Sequence, residues 1–182
     1  WEHMLFVSEQ TGAVDLELNP ADPDEVYAAL WRAERKPWTI ISGDADEDGL
    51  YKSTDGGKTW AKIENGLPQG LIGKIDLAIS PADSSIVYAL VEAPEDEGGL
   101  YKSVDQGESF EQVSDEGGIR TRPFYYANID VDPKNPDVVY ATIELAHRKG
   151  GFYRSENGGE TWEKRNDYIS GGTGPHYYQE IF

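Results

Sequence analysis

Residues 49–60 read GLYKSTDGGKTW, and two closely similar stretches occur further along the chain. Residues 99–110 read GLYKSVDQGESF, and residues 151–162 read GFYRSENGGETW. A catalytic group is normally needed once, whereas a structural device is needed once in every structural unit. The recurrence therefore predicts that Asp55 belongs to a turn and has no part in a reaction.

A second marker also recurs, namely a proline that is followed seven residues later by a tyrosine. The pairs are Pro20 and Tyr27, Pro81 and Tyr88, and Pro133 and Tyr140. An alternating run precedes each proline (AVDLEL, KIDLAI and ANIDVD), and a GLYKS-like segment follows each tyrosine. The unit is thus four short β-prone runs, A to D, that repeat about every 50 to 60 residues.

Four antiparallel strands repeated at this period predict an all-β chain, a segment of a β-propeller with four-stranded blades. We expect three complete blades over residues 13–63, 74–113 and 126–165. Residues 1–6 are predicted to be the last strand of a preceding blade, and residues 177–182 the first strand of a following one. A sandwich of unrelated strands is the alternative, and the repeated text disfavours it.

Three blades alone would leave apolar sheet faces exposed to solvent, which is unfavourable. The expected partners are therefore the remaining blades of the same longer chain, or other copies that complete a ring of about seven blades. No apolar run approaches the length needed to span a membrane.

The turn between strands C and D has its own chemistry. Asp and Asn side chains accept hydrogen bonds from backbone amides further along such a turn, and glycine supplies positive φ. Asn157 occupies the Asp55 position in the third copy, which keeps the acceptor oxygen and removes the charge. A role that depends on charge is therefore not expected at this position.

The pattern S-x-D-x-G-x-T-W resembles the Asp-box, also called the BNR repeat. Its residues are Ser53, Asp55, Gly57, Thr59 and Trp60; Ser103, Asp105, Gly107 and Phe110; and Ser155, Asn157, Gly159 and Trp162. The chain most resembles bacterial sortilin-like propellers, which are often labelled glycosyl hydrolases, with sialidases, xyloglucanases and photosystem assembly factors as relatives. The resemblance implies that the boxes are structural and lie on the face opposite the ligand site. It also implies an extracellular or periplasmic location.

The composition excludes several classes of function. The chain has 182 residues and a formal net charge of −18, which argues against sequence-independent binding of nucleic acid. It has no cysteine, which excludes disulfides, thiol catalysis and thiolate metal sites. No cofactor is required by any motif.

The loops at one end of the blades predict a ligand-binding face. The B–C and D–A connections share that face and span residues 31–48, 65–74, 92–98, 114–126, 144–150 and 166–178. Its candidate ligand-binding residues are Trp31, Arg32, Arg35, Trp38, Arg120, Arg122, Tyr125, His147, Arg148 and His176. Aromatic and arginine side chains suit sugars, peptides or anionic groups. The alternative is that these side chains simply pin long loops together.

The insertion in the first unit contains GDADEDG, and Asp44, Asp46 and Asp48 match the start of a calcium loop. The twelfth position of that loop would be Asp55, which the turn already uses. We therefore favour a solvated acidic loop, with calcium as the alternative.

Glycoside hydrolysis normally needs two carboxyl groups in distinct roles. The candidates near the propeller axis are Asp15, Asp76, Asn128 and Glu180, which occupy one repeat position in successive A strands. Their recurrence favours hydrogen bonding between blades. The sequence thus predicts a secreted or envelope propeller that binds or scaffolds protein or glycan without catalysis. The alternative is a segment of a sialidase-like or xyloglucanase-like glycoside hydrolase, which a carboxylate pair outside the repeat register would favour.

Overall fold

The computed structural model describes residues 1–120, 127–143 and 150–166, and this part of the chain is all-β. The first sheet contains β1 (Thr11–Leu18), β2 (Val26–Lys36), β3 (Thr39–Ser42), β4 (Gly49–Ser53) and β5 (Ala61–Ile63). The second contains β6 (Ile75–Ile79), β7 (Val87–Val91), β8 (Gly99–Ser103) and β9 (Glu111–Ser114). The third contains β10 (Ala127–Val131), β11 (Val139–Ile143), β12 (Gly151–Ser155) and β13 (Glu163–Asn166). The described residues contain no helix that is long and apolar enough to cross a membrane.

Each sheet contains a four-stranded antiparallel meander, and in the first sheet its order is β1-β2-β4-β5, with β3 paired to the end of β2. The register between the second strand of each blade and its neighbour is the same in all three blades. In each one, the recurring tyrosine pairs with the basic residue of the GLYKS-like segment. These pairs are Tyr27 with Lys52, Tyr88 with Lys102, and Tyr140 with Arg154. The prediction of four-stranded antiparallel blades is confirmed.

The blades stack face to face, with their first strands together at the centre, where β6 contacts both β1 and β10. The side chains of β6 alternate between two hydrophobic cores. Leu77 packs in the core between the first and second blades, and Ala78 packs in the core between the second and third. Because both faces of the middle blade are covered, all five residues of β7 are buried.

The structure corrects two expectations about the first unit. Residues 1–6 form no strand, because an extended segment is stable only where a neighbouring strand satisfies its backbone. The predicted loop over residues 31–48 instead begins as a hairpin, since β2 runs on to Lys36 and pairs with β3. The expected strand over residues 177–182 lies outside the described residues.

One sheet face of the first blade carries exposed leucines. Leu16 and Leu18 are each 54% exposed, whereas Leu77 and Ile79, at the matching positions of the second blade, are 3% and 6% exposed. The matching residues of the third blade, Ile129 and Val131, are also buried. In the second and third blades, the preceding blade covers this sheet face. The same face of the first blade carries apolar side chains at the same positions but is exposed.

Candidate functional site: the loop face of the first two blades

The first Asp-box is closed by its own hydrogen bonds. The buried Ser53 hydroxyl donates to the Asp55 carboxylate (2.8 Å) and accepts from the Gly57 amide (2.9 Å). Asp55 also accepts from the amide and the hydroxyl of Thr59, each at 2.8 Å. These hydrogen bonds, first among them that from the Thr59 amide, lower the pKa of Asp55 to about 2. The carboxylate therefore serves its turn as a fixed anion.

The other two boxes repeat this arrangement. Asp105 accepts from the amide (2.9 Å) and the hydroxyl (2.6 Å) of Ser109. Asn157 accepts from the Thr161 amide (3.0 Å), and its side-chain amide donates to the Thr161 hydroxyl (3.0 Å). An uncharged side chain thus closes the same turn.

The box face also holds neighbouring blades together. The Tyr27 hydroxyl and the Lys52 ammonium of the first blade both donate to the Gln106 carbonyl in the second box, at 2.5 and 2.6 Å. One blade further on, the Tyr88 hydroxyl donates to the carbonyl of Pro136 (2.8 Å) in the third blade. The polar groups of this face are used in contacts between blades.

The carboxylates near the axis also join blades. Asp15 accepts a hydrogen bond from the Leu77 amide (2.7 Å), and Asp76 accepts one from the Ile129 amide (2.7 Å). The expected bonding between blades is therefore seen at both positions. Asn128 instead accepts from the ammonium of Lys74 (3.2 Å), and Glu180 lies outside the described residues.

Two carboxyl groups near the propeller axis have pKa values well above the usual carboxyl value. Burial raises the pKa of Asp76 to about 7, against the effect of the Lys74 ammonium, which lies 3.4 Å away. Burial also raises the pKa of Glu17 to about 7, and Asp15 and Asp130 add to this shift by repulsion. These carboxyl groups are partly protonated at neutral pH.

The hairpin of β2 and β3 stands on the loop face. Trp38, at its tip, is 81% exposed. At its base, the Trp31 indole donates to the Ser42 hydroxyl (2.9 Å), so Trp31 braces the hairpin. Lys36 is paired with Glu34 on the same hairpin. The structure thus separates two candidates from the sequence, with Trp31 as a support and Trp38 open to solvent.

The acidic insertion is organised around a buried carboxylate. Asp48 is fully buried and accepts from the backbone amides of Arg32 (2.8 Å) and Asp44 (3.0 Å). Its burial raises its pKa to about 6. Asp44 accepts from the amides of Asp46 and Glu47 and forms an ion pair with Arg32 (2.9 Å). The described residues contain no group of three acidic or histidine side chains that could hold a metal ion; calcium binding stays a prediction.

A small cavity lies between the base of the hairpin and the second blade. It has a volume of about 190 Å³ and is lined by Ser42, Leu71, Gly73, Glu92, Ala93 and Pro94. One carboxylate oxygen of Glu92 accepts from the Ser42 hydroxyl (2.8 Å) and from the Lys74 amide (2.9 Å). Burial raises the pKa of this carboxyl group.

Sequence reasoning placed Glu92 in a loop of this face and did not single it out. The repeat gave no singular signal, because a glutamate stands at this position in both the second and third units, as Glu92 and Glu144, while the first unit has Trp31. Arg120 donates to the Gly98 carbonyl (2.9 Å) and so ties loops together. Arg35 lies exposed on the β2–β3 hairpin, opposite Ile40. The remaining candidates lie outside the described residues: Arg122, Tyr125, His147, Arg148 and His176.

The stacked blades and their boxes define the class of the molecule as an Asp-box β-propeller segment. The family model described as sortilin, neurotensin receptor 3, matches residues 48–173. The chain belongs to this Sortilin-Vps10 family.

Comparison with individual proteins adds a relation to glycoside hydrolase propellers. The xyloglucanase Xgh74A of Acetivibrio thermocellus is 31% identical over 131 residues, which is 69% of this chain and 15% of that protein. The chain therefore spans a small part of this relative.

Two solved structures show the same fold. The GH74 xyloglucanase from Xanthomonas campestris matches 89% of this chain and 24% of its own, with 18% identity and a TM-score of 0.57. YCF48 bound to D1 peptide matches 85% of this chain and 39% of its own, with 15% identity and the same TM-score.

Proposed function

We propose that this chain is part of an extracellular or periplasmic propeller that binds a glycan on its loop face without cleaving it. The observation that carries this proposal is Trp38, which is 81% exposed at the tip of a hairpin. An exposed indole held at the tip of a hairpin offers a flat apolar surface with a polar edge that a ligand can cover. The Trp31–Ser42 bond braces that hairpin at its base.

The ligand we favour is neutral. The chain carries a formal charge of −18, and such a field disfavours the approach of anionic ligands. The indole ring offers a flat apolar surface with a polar edge, which suits the two kinds of surface on a sugar ring. The xyloglucanase relative makes a neutral polysaccharide the first ligand to test.

We propose binding without cleavage because the recurring carboxylates already accept hydrogen bonds that hold the fold together. Asp15 and Asp76 bond to the amides of the next blade, and Asp55 and Asp105 bond within their turns. A segment of a glycoside hydrolase is the second candidate. It is favoured by Glu92, a carboxyl group of raised pKa that lines a cavity of the loop face, and by the xyloglucanase relative.

Isothermal titration of the chain with xyloglucan oligosaccharides tests the proposal. We expect binding that Trp38→Ala weakens by about tenfold or more. Trp1→Ala is the matched control, because Trp1 is also an exposed tryptophan and is not part of the hairpin. Absence of binding to xyloglucan and to other neutral glycans would contradict glycan recognition. Release of new reducing ends during incubation would favour the hydrolase instead.

The exposed sheet face of the first blade has its own proposed partner, which is a further Asp-box blade of the same longer chain. The support is the contrast between Leu16 and Leu18 and their buried counterparts Leu77 and Ile79. A neighbouring blade is what buries those counterparts.

A further inference from the structure

The carboxyl group of Glu92 is held by one of its two oxygens. That oxygen, Oε2, accepts hydrogen bonds from the Ser42 hydroxyl and from the Lys74 backbone amide. The main chain of Glu92 is fixed as well, because its amide donates to the Lys74 carbonyl (2.9 Å) and its carbonyl accepts from the Gly73 amide (2.8 Å). No described residue bonds to the other oxygen, Oε1.

The neighbouring glycine makes room for this carboxyl group. A Cβ atom at position 73 would lie 2.1 Å from Oε2 and 2.8 Å from Cγ of Glu92. Gly73 is not among the glycines with positive φ, so its backbone conformation does not require a glycine. The absence of a side chain at this position therefore serves the placement of Glu92.

The cavity combines one acceptor with apolar walls. Leu71, Ala93 and Pro94 contribute carbon surface, and Leu71 is 44% exposed, so the cavity can be reached from solvent. Its volume of about 190 Å³ is below the range of pockets that take drug-sized ligands, and it suits a single small ring.

The charges around the cavity favour a neutral donor over a cation. Lys74 follows Gly73 in the chain, and its ammonium lowers the pKa of Glu92 through space. That ammonium donates to the Ala127 carbonyl and to Asn128, each at 3.2 Å, and lies 3.4 Å from the Asp76 carboxylate. A second cation beside the same carboxylate would be repelled by the first.

We propose that this cavity is a monosaccharide subsite of the loop face, in which Glu92 Oε1 accepts a hydrogen bond from a sugar hydroxyl and Leu71 and Pro94 contact the ring. This subsite rests on the glycan binding proposed above. It places one sugar unit of the ligand in the cavity, as a second contact besides Trp38. Glu92 is a binding residue here and performs no chemical step.

Two substitutions test the subsite in different ways. In Glu92→Gln the carbonyl oxygen must face Ser42 and Lys74, since both donate, and the NH₂ group then faces the cavity. The substitution thus turns the acceptor into a donor. Gly73→Ala keeps the carboxylate and displaces it, because the new Cβ would overlap Oε2. We expect each variant to weaken binding of xyloglucan oligosaccharides about tenfold in isothermal titration.

Matched controls separate these effects from general damage. Glu95→Gln changes an exposed glutamate in the same loop, and Gly70→Ala adds a methyl group in ordinary contact distance of its neighbour, Glu97. Both should bind like the parent chain, and thermal melts should show that all four variants are folded.

The outcomes distinguish the subsite from the wider function. If the parent chain binds and Trp38→Ala weakens binding while Glu92→Gln and Gly73→Ala do not, the subsite is wrong and the proposed function stands. If the parent chain binds no glycan, both are wrong. Nα-acetyl-lysine amide, which has a free side-chain ammonium, is the cation probe. If it binds with a Kd below that of the oligosaccharides, and Glu92→Gln abolishes this binding, the cavity is a cation site and the sugar assignment is overturned.

Discussion

Asp15 in β1 accepts a hydrogen bond of 2.7 Å from the backbone amide of Leu77 in β6, and this bond joins the innermost strands of two blades. Asp76 makes the same bond to Ile129 in β10 at the same distance. Each blade thus supplies an acceptor for the main chain of the next. This requirement for an acceptor oxygen explains why a carboxylate recurs at this position of the A strands.

The first prediction concerns this bond between blades. Asp76→Ala leaves the buried Ile129 amide without a partner and should lower the free energy of unfolding by about 1–3 kcal/mol. Asp76→Asn keeps an acceptor and should lose much less. Urea unfolding of both variants measures the difference, with the exposed Asp115→Ala as control. Equal losses for Ala and Asn would show that the charge of Asp76 matters more than its acceptor.

The second prediction concerns pH. Burial raises the pKa of Asp76 and of Glu17 to about 7, well above the usual carboxyl value. The folded state therefore binds protons that the unfolded state has released. The stability that comes from these protons is complete below about pH 4 and is lost as the pH rises through 7.

The melting temperature should accordingly fall between pH 5 and pH 8. Repulsion within an acidic chain acts in the same direction, so the parent must be compared with Glu17→Gln/Asp76→Asn. That double variant should show a shallower fall. A slope identical to that of the parent would mean that these two groups do not titrate between pH 5 and 8.

The third prediction concerns the Asp-boxes. Asp55→Asn should be tolerated, because Asn157 closes the third box with the same acceptor oxygen. Asp55→Ala should lower the melting temperature, since Thr59 loses its acceptor. Ser53→Ala should cost about 1–3 kcal/mol, because the buried hydroxyl serves both Asp55 and the Gly57 amide. A large loss for Asp55→Asn would revive a role for the charge.

The parts of the fold that the sequence predicted are those that recur. Three copies of the box fixed the C–D turns, and the spacing from proline to tyrosine fixed the strand order. The A-strand carboxylates could be interpreted as structural because Asp15 and Asp76 share one repeat position. Local chemistry was enough in each case, since a turn or a strand depends on residues close in the chain.

The features that the sequence did not predict depend on residues far apart in the chain, or occur in one blade and not in the others described. Residues 1–6 form no strand among the described residues, and their local sequence gave no sign of this. The β2–β3 hairpin occurs in the first blade alone among the described residues, so the repeat gave no guide to it. Glu92 is held by Ser42, which lies 50 positions earlier and on another blade. Such a contact becomes visible once the blades are stacked.

The fourth prediction concerns the exposed face of the first blade. Leu16 and Leu18 should drive concentration-dependent association of the isolated 182-residue chain, because apolar sheet faces associate in water. Leu16→Glu/Leu18→Glu should reduce that association in light scattering, with Val104→Glu, an exposed residue of the second box, as control. A parent chain that stays monomeric at all concentrations would contradict the assignment of this face to a further blade.

The most direct test of the central claim, that ligands bind on the loop face and not on the box face, is amide hydrogen exchange with and without xyloglucan oligosaccharide. We predict slower exchange in the hairpin around Trp38 and in the segments 71–74 and 92–94. We predict unchanged exchange in the boxes at 53–60 and 103–110. Protection of the boxes with no change around Trp38 and Glu92 would contradict this claim.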